Sequence, residues 1–206
     1  MLDAIISELD RILRTLAAPA RTLRPLPGGD LPDVDMDEAQ RRRVGALMRI
    51  NHVGEICAQA LYQGQALTCR DPGVRNALKQ AAHEEVEHLS WTASRMQELG
   101  ARPSLLNPLW YGGALAIGVT AGLIGDKWNL GFLSETEKQV EAHLQSHLDR
   151  LPAGDQKSWR ILEQMRQDER EHALTAQRLG AAELPAPARL AMKAASKVMT
   201  GLAYYV

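Results

Sequence analysis

Glu85-Val86-Glu87-His88 and Glu169-Arg170-Glu171-His172 are two copies of one pattern, a carboxylate followed three residues later by an imidazole. In an α-helix each residue advances by about 100°, so positions i and i+3 lie on neighbouring lines of one face and aim at a common point. Glu85 and Glu169 stand 84 residues apart, as do His88 and His172. Each copy falls within a stripe of helical period: Leu78, Ala81, Glu85, His88, Thr92 and Leu99 in the first, Leu162, Met165, Glu169, His172, Ala176 and Leu179 in the second. Buried acids need a compensating charge. Two converging Glu-x-x-His pairs point to a pair of metal ions as that charge.

Helix boundaries surround both copies. Asp71-Pro72 supplies an N-cap and a proline at the first helical position, and Gly100 closes that helix. Gly154-Asp155 and Gly180 do the same for the second. In four-helix bundles that carry two metal ions, a glutamate from each of two further helices completes the ligand set. Glu55 is one candidate. It interrupts the seam Val44, Met48, Asn51, Ala58, Tyr62 of a helix expected to open at the capping box Asp35-Met36-Asp37-Glu38 and to run to about Thr68, with His52 one turn away. Glu137 is the other, on the seam Leu130, Leu133, Val140, Leu144, Leu148, Leu151. A capping box at Ser134-Glu135-Thr136-Glu137 is the competing reading for Glu137, although the apolar period already runs upstream of Ser134. From Glu55 to Glu137 is 82 residues, nearly the spacing of the Glu-x-x-His pairs, so the chain reads as two helical hairpins of one pattern.

Off these seams, Glu84, Glu87 and His83 read as exposed groups, with Glu84 and Glu87 also open to supporting roles behind the ligands. Glu141 reads as a partner one turn from Glu137, and His143 and His147 at the seam edge receive no role.

Bulk properties agree with helices and exclude several functions. Hydrophobic residues make up 45% and aromatic ones only 4%, in a chain rich in Ala, Leu, Arg, Gln and Glu. With 206 residues the chain buries a core without disulfides, so a metal is not needed merely to make it fold. A net charge of −1 gives no global field for nucleic acid, which is not an expected partner. Cys57 and Cys69 form neither a disulfide framework nor a thiolate zinc pattern, and a reducing compartment is expected. Asp3, Glu8 and Asp10 interrupt the first twenty residues, unlike a signal peptide, so the protein is expected to stay in the cytoplasm.

Three segments flank the bundle. Ile5, Leu9, Ile12 and Leu16 make an amphipathic leader helix within residues 1–24, broken by Pro19 and Pro25-Leu26-Pro27-Gly28-Gly29; it packs on the bundle or lies on a membrane surface. Residues 103–125 carry no formal charge, and three readings stay open: a membrane span, a buried connecting helix, or a segment that dips into one leaflet. The tail from 186 to 206 sets Arg189, Lys193 and Lys197 along one face of an amphipathic helix suited to anionic lipid or to simple packing.

The expected fold is therefore all-α: one domain over 1–206, a ferritin-like four-helix bundle over 36–180 with a di-metal carboxylate centre, a hydrophobic connecting helix and amphipathic terminal helices. Oxygen-rich ligation with two imidazoles suits iron or manganese better than structural zinc. Beyond this general class, the chain from about residue 40 onward resembles the 5-demethoxyubiquinone hydroxylases of ubiquinone biosynthesis in their bacterial form. The resemblance rests on Arg49-Ile50-Asn51-His52-Val53-Gly54-Glu55, Tyr62-Gln63-Gly64-Gln65, Glu85-Val86-Glu87-His88, Thr136-Glu137-Lys138-Gln139-Val140, Asp168-Glu169-Arg170-Glu171-His172 and a closing Val198-Met199-Thr200 with Ala203-Tyr204.

That resemblance implies an O2-dependent monooxygenase acting on the ring of a polyprenyl quinone or quinol. It implies two iron ions per chain on Glu55, Glu85, His88, Glu137, Glu169 and His172, with the bridging carboxylates undetermined. It implies an external electron donor, NADH or the reduced ring itself, since the chain has no Gly-x-Gly-x-x-Gly fingerprint. A polyprenyl substrate implies peripheral attachment to the cytoplasmic face of the cell membrane, with self-association left open. A ferritin-type iron-storage protein and a rubrerythrin-type peroxidase are the competing readings; the second would bring a four-cysteine iron domain, and only two cysteines are present.

Overall fold

In the computed structural model, every residue except Met1 and Arg21 is described, together with all side chains but those of Leu2, Ala4 and Ile5. The Ile5 position of the leader stripe thus lies outside the described side chains. Among the described residues seven helices follow in order: α1 Leu2–Ala17, α2 Glu38–Thr68, α3 Pro72–Glu98, α4 Asn107–Ile124, α5 Asp126–Leu148, α6 Gln156–Arg178 and α7 Ala186–Ala203. Among the described residues there is no strand, so the all-α expectation holds.

Helices α2 and α3 form one hairpin and α5 and α6 the other. Local chemistry sets their ends. Asp71 accepts from the Gly73 and Val74 amides at the start of α3, with Pro72 in the first turn, and Asp155 accepts from Ser158 N at the start of α6. Gly100 and Gly180 carry φ of +69° and +94° where α3 and α6 stop, a conformation that other residues rarely adopt. The capping box of α2 lies two residues later than expected. Asp37 is the N-cap and Gln40 its reciprocal partner, so Asp35 and Glu38 do not form the box. Helix α5 already begins at Asp126, which places Ser134 in mid-helix; its hydroxyl donates to Ala173 O at 3.5 Å rather than capping.

The hairpins meet through two apolar layers with polar chemistry between them. Val44, Met48, Trp91, Met96, Leu144, Ile161, Leu162 and Met165 fill one end. Tyr62, Leu78, Leu130, Leu133 and Ala176 fill the other. At that second end Gln65 Nε2 donates to Asn129 Oδ1 at 2.7 Å, pinning the end of α2 to the start of α5. At the first, the fully buried Arg95 holds Asp155 at 3.0 Å, Asp33 at 2.6 Å and Ser158 Oγ at 2.9 Å, which fastens the segment before α2 to α6.

Helix α2 is buried on more than the single stripe its sequence shows, because α4 lies along its outer side. The two backbones come close enough that a methyl group at Gly118 would collide with the Leu61 carbonyl, and one at Gly64 would crowd the Leu115 carbonyl and Val119 amide. The uncharged 103–125 stretch is thus a connecting helix packed on one face. No helix among the described residues is long and apolar enough to cross a membrane, which removes the spanning alternative.

On one flank of α4, Ile12 and Leu16 of α1 join Ile56, Tyr111 and Ala114; on the other, Met199 and Tyr204 of the tail join Ile50, Val53 and Trp110. The leader helix ends at Ala17, short of the expected residue 24, since Pro19, Pro25 and Pro27 cannot donate helical hydrogen bonds. From residue 22 the chain crosses the bundle as a strap.

Candidate metal centre

Six side chains meet in mid-bundle. Glu55 comes from α2, Glu85 and His88 from α3, Glu137 from α5, and Glu169 and His172 from α6. All six are buried, the most exposed being His172 at 8%. They fall into two groups in which one donor atom per residue lies within 4.8 Å of the others: Glu55, Glu85, His88 and Glu169, and Glu85, Glu137, Glu169 and His172. Glu85 and Glu169 belong to both groups, whereas Glu55 and Glu137 each belong to one. The glutamates of the two Glu-x-x-His pairs are therefore shared between the halves.

The imidazoles are oriented alike. His88 Nδ1 faces the cluster, 3.0 Å from Glu85 Oε2, 3.3 Å from Glu169 Oε1 and 3.5 Å from Glu55 Oε2. Its Nε2 points away and donates to Asp168 Oδ2 at 2.9 Å. His172 Nδ1 lies 3.3 Å from Glu169 Oε2 and 3.4 Å from Glu85 Oε1, while its Nε2 donates to Glu84 Oε2 at 2.7 Å. A carboxylate behind each ring fixes its tautomer and leaves Nδ1 free to ligate. Each brace crosses between hairpins, from α6 to His88 and from α3 to His172.

Among the described residues no lysine or arginine pairs with Glu55, Glu85, Glu137 or Glu169, and Glu85 Oε1 and Glu137 Oε1 have no hydrogen-bond partner. Burial, then the charge of Glu85, pushes the Glu55 carboxyl well above the usual range. Burial and Glu169 do the same to Glu137. Burial opposes charge on His88, yet Glu85 and the bonds to Asp168, Glu169 and Glu55 outweigh it and raise its pKa far above the ordinary value. His172 is likewise raised: burial again opposes, and bonds to Glu169 and Glu84 together with the charge of Glu85 prevail. Four carboxylates, two inward Nδ1 atoms and orphaned buried oxygens fit two divalent cations, and the donor set is that of a metal centre.

Several residues around the centre differ from their sequence reading. Glu87 is buried, not exposed: its carboxylate accepts from the Leu23 amide at 2.8 Å and the Arg24 amide at 3.3 Å, because the strap amides have no helical partner. Glu84 is partly covered and serves His172 from behind. Glu141 faces Arg166 at 3.7 Å. His83 is exposed as expected. His52 is buried and kept neutral by desolvation, its pKa pushed down to about 4. The His143 and His147 rings meet at a tilt of 58° with centroids 4.1 Å apart and are held neutral by burial, outside the two groups.

Asp168 falls within a motif quoted from the sequence but receives no role there, and neither Arg24 nor Trp91 is singled out. The 84-residue repeat could have found Asp168, which stands to Glu169 as Glu84 stands to Glu85. Nothing local marks Arg24 or Trp91.

Fold and site define a helical bundle that buries a carboxylate and imidazole cluster suited to metal between a pair of related hairpins. Comparison with known proteins makes this specific: residues 42–203 match the family described as "Ubiquinone biosynthesis protein COQ7", and the chain belongs to that family. It is similar along its whole length to proteins named 3-demethoxyubiquinol 3-hydroxylase. Identity is 65% over 206 residues with that of Azoarcus sp. (strain BH72), covering 100% of both chains. With that of Dechloromonas aromatica (strain RCB) it is 63% over 202 residues, 98% of each chain. With that of Chromobacterium violaceum it is 62% over 206 residues, again 100% of both.

Proposed function

We propose that the chain is a 3-demethoxyubiquinol 3-hydroxylase, which inserts one oxygen atom of O2 into a ring C–H bond of a polyprenyl benzoquinol during ubiquinone biosynthesis. The observation that carries the reading is the convergence of Glu55, Glu85, His88, Glu137, Glu169 and His172 in a chain related over its full length to enzymes of that name. The metal assigned is iron, two ions per chain; Glu55 and His88 would hold one and Glu137 and His172 the other. Glu85 and Glu169, common to both groups of donor atoms, would serve both ions.

The bound ions supply the reduction of O2. The reaction consumes O2, two electrons and two protons for each hydroxyl formed, with water as the second product, so an external donor, NADH or a quinol, must furnish the electrons. The protein's own groups set the conditions. Asp168 and Glu84 hold the imidazoles from behind. The apolar layers around Trp91, Met165 and Leu162 on one side, and Tyr62, Leu78 and Leu133 on the other, exclude water from the centre.

The lipid-soluble substrate matches the surface. Leu105, Leu109, Ile117, Leu123 and Ile124 around α4, Ile6, Leu9 and Leu13 on α1, and Leu190, Val198 and Leu202 on α7 are exposed apolar side chains on three neighbouring helices. These faces rest on the cytoplasmic leaflet without crossing it, and Lys193 and Lys197 meet anionic headgroups. Burial of each prenyl methylene is worth about 0.8 kcal/mol, so the substrate tail stays in lipid while the ring enters the bundle.

The storage and peroxidase alternatives have no support in the family match. Quinone extraction from cells lacking the protein tests the assignment: a demethoxy-quinone should accumulate and disappear on restoring the wild-type chain but not Glu85→Ala. Normal ubiquinone in the deletion strain would overturn it.

A further inference from the structure

Glu84 and Asp168 occupy equivalent positions in the two hairpins, each directly before the glutamate of a Glu-x-x-His and each bonded to the histidine of the other hairpin. Their outer surroundings are unequal. Asp168 also accepts from Arg24 Nη1 at 2.7 Å and from Gln164 Nε2 at 2.9 Å, whereas Glu84 accepts from Gln80 Nε2 at 2.7 Å on the exposed side of α3. The Glu84 side chain is 32% exposed and that of Asp168 16%.

Arg24 does more than neutralise Asp168. Its guanidinium lies 4.7 Å from the centre of the Trp91 ring, and that ring lies 5.4 Å from His88. His88, Asp168, Arg24 and Trp91 therefore close a ring of contacts around one imidazole. Arg24 is delivered there by its backbone, since the Leu23 and Arg24 amides are both held by Glu87. Among the described residues His172 has no counterpart of this strap.

We propose that Arg24 is a positioning residue that makes the two metal positions unequal, so that the ion on His88 is held more firmly than the ion on His172; this rests on the metal-ligand reading above. A carboxylate fastened from outside cannot turn away, and the imidazole it bonds keeps Nδ1 aimed inward through each opening of the site. Glu84 competes with water for its place, so the His172 ring is released more often.

The experiment loads the full-length protein with Co(II), whose visible bands report ligand geometry, and then adds excess chelator while absorbance and metal content are followed. Two ions should leave in two phases. Arg24→Gln should accelerate the slow phase about ten- to hundredfold, as loss of such outer contacts does elsewhere, and leave the fast phase unchanged. Arg24→Lys keeps the charge without the planar fork and should fall between. Glu84→Gln should accelerate only the fast phase. Asp168→Asn leaves the strap in place and should alter the spectrum of the slowly released ion, a change that a loss of general stability would not confine to one ion. Binding of fewer than two ions by the wild type would overturn the metal-centre reading itself. Two ions leaving in a single phase, or a slow phase indifferent to both Arg24→Gln and Asp168→Asn, would overturn the inequality alone.

Discussion

His88 Nδ1 lies 3.3 Å from Glu169 Oε1, although the two residues belong to different hairpins and stand on helices α3 and α6. The centre is thus assembled across the hairpin interface, and neither hairpin alone contains a complete half. Sharing of Glu85 and Glu169 between both groups makes a graded prediction. Glu85→Ala and Glu169→Ala should lose both ions, while Glu55→Ala and Glu137→Ala should keep about one, as elemental analysis of protein purified with iron will show. Full occupancy in Glu169→Ala would exclude the arrangement.

Stability of the metal-free protein should fall as pH rises. Glu55, Glu137, His88 and His172 all have raised pKa values in the fold, so above their unfolded values the folded chain binds more protons than the unfolded one. Their contribution is complete in acid and is lost as pH climbs from about 4.5 for the glutamates and 6.5 for the histidines toward the raised values. Glu85 and Asp168 are shifted downward and are ionised in both states above about pH 6, so they do not oppose the trend there. Denaturant titrations of chelator-treated protein at pH 6, 7 and 8 should show progressive loss, and metal-loaded protein should not follow it. A flat profile for the metal-free form would contradict the proton-filled cluster.

Close approach of α4 to α2 depends on Gly118. Gly118→Val should force the helices apart and cost about 1–3 kcal/mol, the usual range for overpacking, measured from urea unfolding. Gly112 has open space around its Cβ direction, and Gly112→Ala should leave stability within about 0.5 kcal/mol of wild type.

Membrane attachment is testable at exposed positions only. Leu115 packs against the Tyr111 cluster, so a charge there would disturb the fold; Ile117 and Leu123 are exposed. The double variant Ile117→Glu, Leu123→Glu should stop flotation with anionic liposomes and turnover of long-tailed quinol while sparing a short-tailed analogue. Unchanged flotation would show that the α4 face does not meet lipid.

Much of this molecule is legible along the chain because its chemistry is periodic. Acids set within apolar stripes of 3.6-residue period, repeated at spacings of 84 and 82, specify four helices and the six side chains that converge. Caps such as Asp71-Pro72 and Gly100 are equally local, since each depends on hydrogen bonds and backbone angles within a few residues. Tertiary structure alone decided which carboxylates the two halves share, for sharing depends on how two hairpins dock and not on either one. It also decided that Glu87 is buried beneath the strap, that Glu84 and Asp168 exchange partners across the bundle, and that Arg24 guards one histidine. Those contacts join residues 63 to 144 positions apart, as Arg24 with Glu87 and with Asp168 shows. No helical period relates such pairs: Glu84 with His172 and Asp168 with His88 meet only where two hairpins dock, and the Arg24 contacts start from an irregular strap, whose path is set by where unpaired amides and a lone guanidinium find acceptors on helices already packed.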